Sequence, residues 1–338
     1  MIRAFTVFCI VLLSAATGSA QCQSLVGDLT TTNNTLGVDI QGDYAYVTIS
    51  SDGIAIIDIS DPSAPSEVGT YDTPSIARNV TVSGNLAYVS VGYSGLRVLD
   101  VSNPSAPTEI GFYDTEGGAN DSVIRGNYAY VADNTEGLLV LNITDPANPT
   151  FAGSEDTPGE ALAIAVEGDY AYIADDLQGL RIINIANPSN PNEVSDLPIP
   201  GGTLDVTARG DLVFIAADAN GLRVIDVSTP SSPVEIGFFD SNDSASQGVA
   251  TDGRFVYIAD RPYGFRVVDI LDPTDPIDVG IIDMDSLAMG VALSDNGRTA
   301  VVTDRNEGIK VFDLSVCVHL FSDGFETHNT SRWSDTVG

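Results

Sequence analysis

The sequence predicts an all-β fold, a seven-bladed β-propeller of four-stranded antiparallel blades, and three observations carry that prediction. A glycine-centred turn recurs at Gly42, Gly84, Gly126, Gly168, Gly210, Gly253 and Gly297, with spacings of 42, 42, 42, 42, 43 and 44 residues. A second glycine keeps the same beat at Gly53, Gly95, Gly137, Gly179, Gly221, Gly264 and Gly308. A proline pair stands in six of the seven units, from Pro62/Pro65 to Pro273/Pro276. Units of this length holding four short strands are the signature of a propeller blade.

Each element of a unit has a local reason. In the second unit the strands run over 77–83, 86–91, 96–102 and 109–113, all rich in Val, Ile and Tyr and bounded by Gly, Asn or Pro. The Ser83-Gly84-Asn85 corner suits a tight hairpin, because Gly and Asn tolerate positive φ. The proline pair, as in Asp61-Pro62-Ser63-Ala64-Pro65, sets the loop between the third and fourth strands without removing a donor from a central strand. On the first strands, counting back five from each turn glycine gives Gly37, Asn79, Asp121, Ala163, Asp205, Gly248 and, across a longer hairpin, Gly290. Seven back stand Thr35, Ala77, Ala119, Ala161, Thr203, Ser246 and Ala288. Small residues there are what seven strands crowding a central channel demand.

The seventh unit lacks a fourth strand, and Ser24 to Leu29 resembles the fourth strands Glu67 to Asp72 and Glu109 to Asp114. The N-terminal strand is therefore expected to complete the last blade and close the ring, removing its open edges. Residues 1–20 read as a signal peptide, with Arg3, an apolar run and Gly18-Ser19-Ala20, so the propeller spans 21–317 and the tail 318–338. The apolar run is too short for a transmembrane segment. A lipidated Cys22 is the weaker alternative, since Gln21 replaces the small residue expected before it. Cys9 leaves with the leader, and the remaining Cys22 and Cys317 flank the closing strands, which points to a disulfide clasp in an extracytoplasmic protein.

Acids outnumber bases 47 to 14, a net charge of -33. That balance excludes nucleic acid and anionic lipid as partners, because both need Lys and Arg to replace counterions. It suits a soluble, monomeric particle whose carboxylates keep copies apart.

The third strands Leu96 to Ser102 (LRVLDVS) and Leu222 to Ser228 (LRVIDVS), with the Tyr130 to Asp133 and Tyr257 to Asp260 segments before such strands, resemble the LVIVD-repeat proteins of bacterial and archaeal surfaces. The resemblance covers about 24–315, implies a propeller outside the cytoplasm, and implies no particular reaction. The ending Phe321 to Glu326 with Thr330 to Ser334 is similar to short C-terminal segments of exported proteobacterial proteins, where it implies sorting or attachment; a solvated end is the plainer reading.

Chemistry is sparse. Both histidines, His319 and His328, lie in the tail, which removes His-based triads and most zinc or iron sites from the ring. Asp133, Asp175, Asp260 and Asp304, with Asp218 one residue later, are expected to accept backbone N–H groups of the following loop. Arg97, Arg181, Arg223, Arg266 and Lys310 on third strands are expected to pair with neighbouring acids. Asp121 and Asp205 break the small-residue ring, and with Asn79 form a candidate channel cation site; no cofactor is expected otherwise, with Ca2+ as the alternative. Variation between units concentrates in the second-to-third and fourth-to-first strand loops, where Glu136, Asp243, Arg261, Tyr263 and Arg305 are least repeat-like. The expectation is a non-catalytic binding or scaffolding module for a protein, peptide or glycan. A carboxylate-based glycan hydrolase or lyase is the alternative.

Overall fold

The computed structural model describes residues 23–31, 33–240, 245–284 and 287–315, which form seven four-stranded antiparallel sheets. Strand β1 (Ser24–Leu29) belongs to the last of them. Blade 1 holds β2 (Thr35–Gln41), β3 (Tyr44–Ile49), β4 (Gly53–Asp58) and β5 (Ser66–Tyr71). Blade 2 holds β6 (Asn79–Ser83), β7 (Leu86–Ser90), β8 (Leu96–Asp100) and β9 (Thr108–Tyr113); blade 3 holds β10 (Asp121–Arg125), β11 (Tyr128–Ala132), β12 (Leu138–Asn142) and β13 (Thr150–Glu155). Blade 4 follows with β14 (Ala163–Glu167), β15 (Tyr170–Ala174), β16 (Leu180–Asn184) and β17 (Asn192–Leu197). Blade 5 has β18 (Asp205–Arg209), β19 (Leu212–Ala216), β20 (Leu222–Asp226) and β21 (Val234–Phe239). Blade 6 has β22 (Ala245–Thr251), β23 (Phe255–Arg261), β24 (Gly264–Asp269) and β25 (Ile277–Ile282). Blade 7 is built from β26 (Ala288–Leu293), β27 (Thr299–Asp304), β28 (Gly308–Asp313) and β1. One turn of 3-10 helix, Ser50–Asp52, is the only helix element named among the described residues, and none there is long and apolar enough to cross a membrane.

The ring closes as expected. Strand β1 runs antiparallel to β28, from Ser24 opposite Asp313 to Leu29 opposite Ile309. Cys22 and Cys317, the leader and the tail lie outside the described residues.

The core is divided into seven clusters, each shared by two neighbouring blades. Both faces of the middle strands are therefore buried, which is why Ala45 to Ile49 and Ile54 to Ile57 are unbroken buried runs rather than alternating ones. The small residues seven back from the turns, Thr35, Ala77, Ala119, Ala161, Thr203, Ser246 and Ala288, are all buried where one blade meets the last. Four of them bridge backbone to backbone with the preceding blade: Ala119 with Gly92, Ala161 with Asn134, Thr203 with Asp176, and Ser246 with Asp218. At the closing seam Thr35 uses its side chain instead, Oγ1 donating toward the carbonyls of Asp304 at 2.8 Å and Gly308 at 2.9 Å.

The fourth-strand glycine and the proline pair prove to be two halves of one contact. A Cβ on Gly69 would lie 2.1 Å from the Pro104 carbonyl oxygen of the next blade, on Gly111 2.4 Å from that of Pro146, and on Gly237 2.2 Å from that of Pro273. Gly27 of β1 meets Pro62 in the same way, at 2.2 Å. Where β17 has serine, the Ser195 hydroxyl donates to the Pro230 carbonyl at 2.6 Å. Since these atoms are backbone and cannot swing aside, Gly111→Ala is expected to cost about 1–3 kcal/mol. A thermal melt of that variant checks this; an unchanged midpoint would show that the blades can separate without penalty.

Candidate functional site

One end of the ring carries the starts of the first strands and the loops between second and third strands. The residues just before the first strands are hydrogen-bonded to the ends of the second strands, as in Arg78 N–H to Ser90, Asn120 to Ala132, Leu162 to Ala174 and Leu204 to Ala216. These residues ring the mouth of a central cavity of about 330 Å3, with Asn79, Asp121, Ala163 and Asp205 a step further in.

The channel aspartates tie blades together. Asp121 accepts from Ser122 N–H on its own strand (2.7 Å) and from Ile164 N–H on the next blade (3.0 Å). Asp205 does the same with Val206 and Val249, each at 2.8 Å. Asp39 repeats the arrangement from blade 1, accepting from Ile40 at 2.8 Å and Val82 at 2.7 Å. Inner strands are sheet edges, so their N–H groups lack ladder partners, and a carboxylate from the preceding blade supplies one. Asp39 escaped the sequence reading because it stands three residues before its turn glycine, opposite Tyr46, whereas Asp121 and Asp205 stand five before theirs.

Removal from bulk water pushes these carboxyls up despite the N–H bonds: Asp39 and Asp121 to about 6, and Asp205, which also feels the Asp121 charge, to about 7. With folded values above the ordinary 3.8, the folded protein binds more protons than the unfolded chain between about pH 4 and 7. These groups therefore favour folding below that window, and the contribution is lost as pH rises through it. The exposed loop aspartates Asp58, Asp61, Asp100, Asp226 and Asp272 go the other way: hydroxyl and backbone hydrogen bonds in their turns lower them. Their contribution disappears as pH falls below about 4. Thermal stability is thus expected to peak near pH 5. Carbon-13 titration of the carboxyls tests this directly, and channel aspartates titrating with the loop set would refute it.

The structure brings Asn79 and Asp121 together, the Asn79 amide donating to Asp121 at 2.5 Å, while Asp205 meets backbone instead. Asn79 Oδ1 in turn accepts Val80 N–H. Every carboxylate oxygen of Asp121 and Asp205 thus already accepts an N–H, and calcium asks for six or more oxygens. Among the described residues no three His, Cys, Asp or Glu side chains converge as a metal site.

The second-strand aspartates depart from expectation in one respect. Asp304 does accept from the following loop, at Asn306 and Glu307. Asp133 and Asp175 instead reach back to the preceding loop, to Gly117 and Gly118 and to Thr157 and Gly159. That loop and the next one share this end of the ring, so a buried carboxylate can staple across them. The third-strand cations pair as expected: Arg97 with Asp114, Arg181 with Asp175, Arg223 with Glu235, Arg266 with Asp260 and Asp278, and Lys310 with Glu307.

Of the least repeat-like residues, Glu136, Tyr263 and Arg305 fall on second-to-third strand connections, in blades 3, 6 and 7, and Arg261 ends the second strand of blade 6, so all four share the channel-mouth face. Asp243 lies outside the described residues. Arg261 leans on Gln247 at 3.5 Å, and Gln247 lines the channel mouth. Tyr263 is only 38% exposed, whereas Tyr93 on the same face is 80% exposed. Sequence reasoning passed over Tyr93 because Gly92-Tyr93-Ser94-Gly95 looks like one more turn of the repeat.

The LVIVD repeat family model matches six consecutive segments, 34–73, 74–115, 116–157, 158–197, 200–241 and 244–284. These are blades 1 to 6; blade 7, split between the two ends of the described chain, is not among them. No curated protein matches. Among solved structures, the β-propeller domain of Cps50 (Swd1) from Myceliophteria thermophila is similar at a TM-score of 0.69 and 13% identity, covering 86% of this chain and 99% of that one. The computationally designed Ika8 protein is similar at 0.64 and 11% identity, with the same coverage. At such identities the likeness concerns the fold alone.

Proposed function

Because this chain belongs to the LVIVD-repeat family and folds as a seven-bladed propeller, we propose that it is a non-catalytic binding module whose ligand, a protein, peptide or glycan, seats on the channel-mouth face. The observation that carries this reading is the contrast between a uniform backbone and a varied surface. Backbone bridges at Gly92, Asn134, Asp176 and Asp218 hold the loops of blades 2 to 5, and buried aspartates stand at the second-strand ends of blades 3, 4, 6 and 7, yet the loops present Tyr93, Glu136, Leu177, Tyr263 and Arg305 at or near corresponding places. A rigid ring with varied side chains at its loop tips is how repeat folds place specificity.

A carboxylate-based hydrolase or lyase is the rival. The raised values of Asp121 and Asp205 would suit a general acid. Against it, both carboxyls spend their oxygens on backbone N–H groups that hold neighbouring blades together. An exported, extracytoplasmic setting belongs to the same proposal, supported by the leader-like first twenty residues and the -33 charge.

Capture from surface extracts should be lost in the double variant Arg261→Ala/Tyr263→Ala or in Tyr93→Ala, and kept in Phe151→Ser on the outer edge of blade 3. Capture that depends on Phe151 would move the site to the rim. Turnover of a glycan that vanishes in Asp121→Asn/Asp205→Asn would establish the enzyme instead. Chelation is expected to leave the melting midpoint unchanged, and a chelator-induced drop would restore the calcium alternative.

A further inference from the structure

We infer that the groove between blades 2 and 3 at the channel mouth is a subsite for one ring of a neutral saccharide, which rests on the loop-face reading above and names its ligand class. The groove encloses about 110 Å3 and is lined by Ile76, Arg78, Tyr93, Gly118, Asn120 and Asn134, with Ser75 at its edge. Its apolar floor is built. Tyr93 is 80% exposed and its ring lies beside Gly118, where a Cβ would come within 3.4 Å of it, and Gly118 at φ 115 needs glycine for its backbone as well. Ile76, 40% exposed, extends the apolar surface beside it.

Around that floor stand unspent polar groups. Asn134 Oδ1 is buried and has no hydrogen-bond partner, although its backbone is fixed by the bridge to Ala161. A buried amide oxygen without a donor is an unspent acceptor, which a ligand hydroxyl would satisfy once the Asn134 side chain turns toward the groove. Asn120 spends its amide N–H on the Ala161 carbonyl at 2.9 Å, which fixes the side chain and leaves its Oδ1 as a further acceptor. Arg78 is exposed and makes no ion pair among the described residues, in contrast to the third-strand cations, so its guanidinium offers donors at the rim. Arg78 and Asn120 also line the central cavity, so the groove and the channel mouth are continuous.

One apolar face edged by donors and acceptors matches a pyranose ring, which presents C–H groups on its face and hydroxyls around its edge. Charge selects among saccharides. The net -33 repels polyanions at long range, and Arg78 repels a cationic group locally, which leaves a neutral ring as the fitting occupant. A peptide adding a strand is disfavoured, because the groove is formed by loop residues and side chains and not by an open strand edge.

The test uses the whole protein with neutral hexasaccharides of glucose (α- and β-linked), mannose, xylose and N-acetylglucosamine, read by saturation-transfer NMR and calorimetry. At least one is expected to bind. Tyr93→Ala should weaken it tenfold or more, Asn134→Ala should weaken it as well, and Tyr93→Phe should retain it. Because Tyr93 is exposed, its variants should melt with the wild type. Binding that survives Tyr93→Ala, or no binding across the panel, overturns the saccharide subsite. Capture of a protease-sensitive ligand lost in Arg261→Ala/Tyr263→Ala but untouched by Tyr93→Ala would do so too, while leaving the loop-face reading intact; a loop face that captures nothing at all would end both.

Discussion

Deletion of β1, Ser24–Leu29, is expected to have the largest effect of any short change, making the ring self-associate and melt at a much lower midpoint. The strand holds two blades at once. Its backbone pairs with β28 of blade 7, and Gly27 packs against the Pro62 carbonyl of blade 1. Val26 and Leu29 lie against the cluster that blades 7 and 1 share. Half-burial of two aliphatic side chains is worth about 1.5–3 kcal/mol, before any ladder bond is counted. Without β1 the edge of β28 is exposed, and an exposed edge recruits strands from other copies. Light scattering after size exclusion, together with a melt, checks both parts. A monomer melting with the full chain would mean that six and three-quarter blades suffice, and the closure argument would fail.

Arg266→Met should be the most damaging single substitution, at about 3–5 kcal/mol. Arg266 Nε donates to Asp260 at 2.7 Å, its Nη1 bonds Asp278, and its guanidinium lies 5.2 Å from the Phe239 ring of blade 5. Asp260 is fully buried, so loss of the arginine leaves a carboxylate with neither water nor counterion. The comparison that isolates the cause is Lys310→Met. Its partners Asp28 and Glu307 are half exposed and stay hydrated, so less than about 1 kcal/mol is expected. Adding Asp260→Leu to Arg266→Met should recover part of the loss, since a buried pair replaced by apolar groups is often tolerated. Denaturant midpoints for the three variants decide the matter; equal losses for Arg266 and Lys310 would show that burial is not what makes the pair matter.

The candidate site was partly legible. Asp121, Asp205 and Asn79 stood out because they interrupt a ring of small residues, and all three do line the channel. Their direction of action was not legible. Whether a carboxylate points at a cation or at the N–H of the next blade depends on where that blade lies, and Ile164 is 43 residues from Asp121. Asp39 was missed for a related reason, since it stands three residues before its turn glycine and not five, and only the position of Val82 on the next blade shows what it does. Tyr263 drew attention for its setting beside Arg261, but Tyr93 is the more exposed platform and has a groove beneath it.

By itself the sequence determined the blade count, the four strands of each blade and the strand that closes the ring. Those follow from local chemistry: glycine turns at a fixed interval, β-branched runs between them, and a missing fourth strand whose likeness appears at the other end. Only the tertiary structure decided how blades grip each other. The fourth-strand glycines and the prolines of the next blade look like independent turn signals in the chain, yet Gly111 is there because the Pro146 carbonyl approaches it. The physical reason is that every such contact joins positions about one repeat apart. In a repeat each position has six near-equivalents, so sequence spacing cannot say which pair will touch.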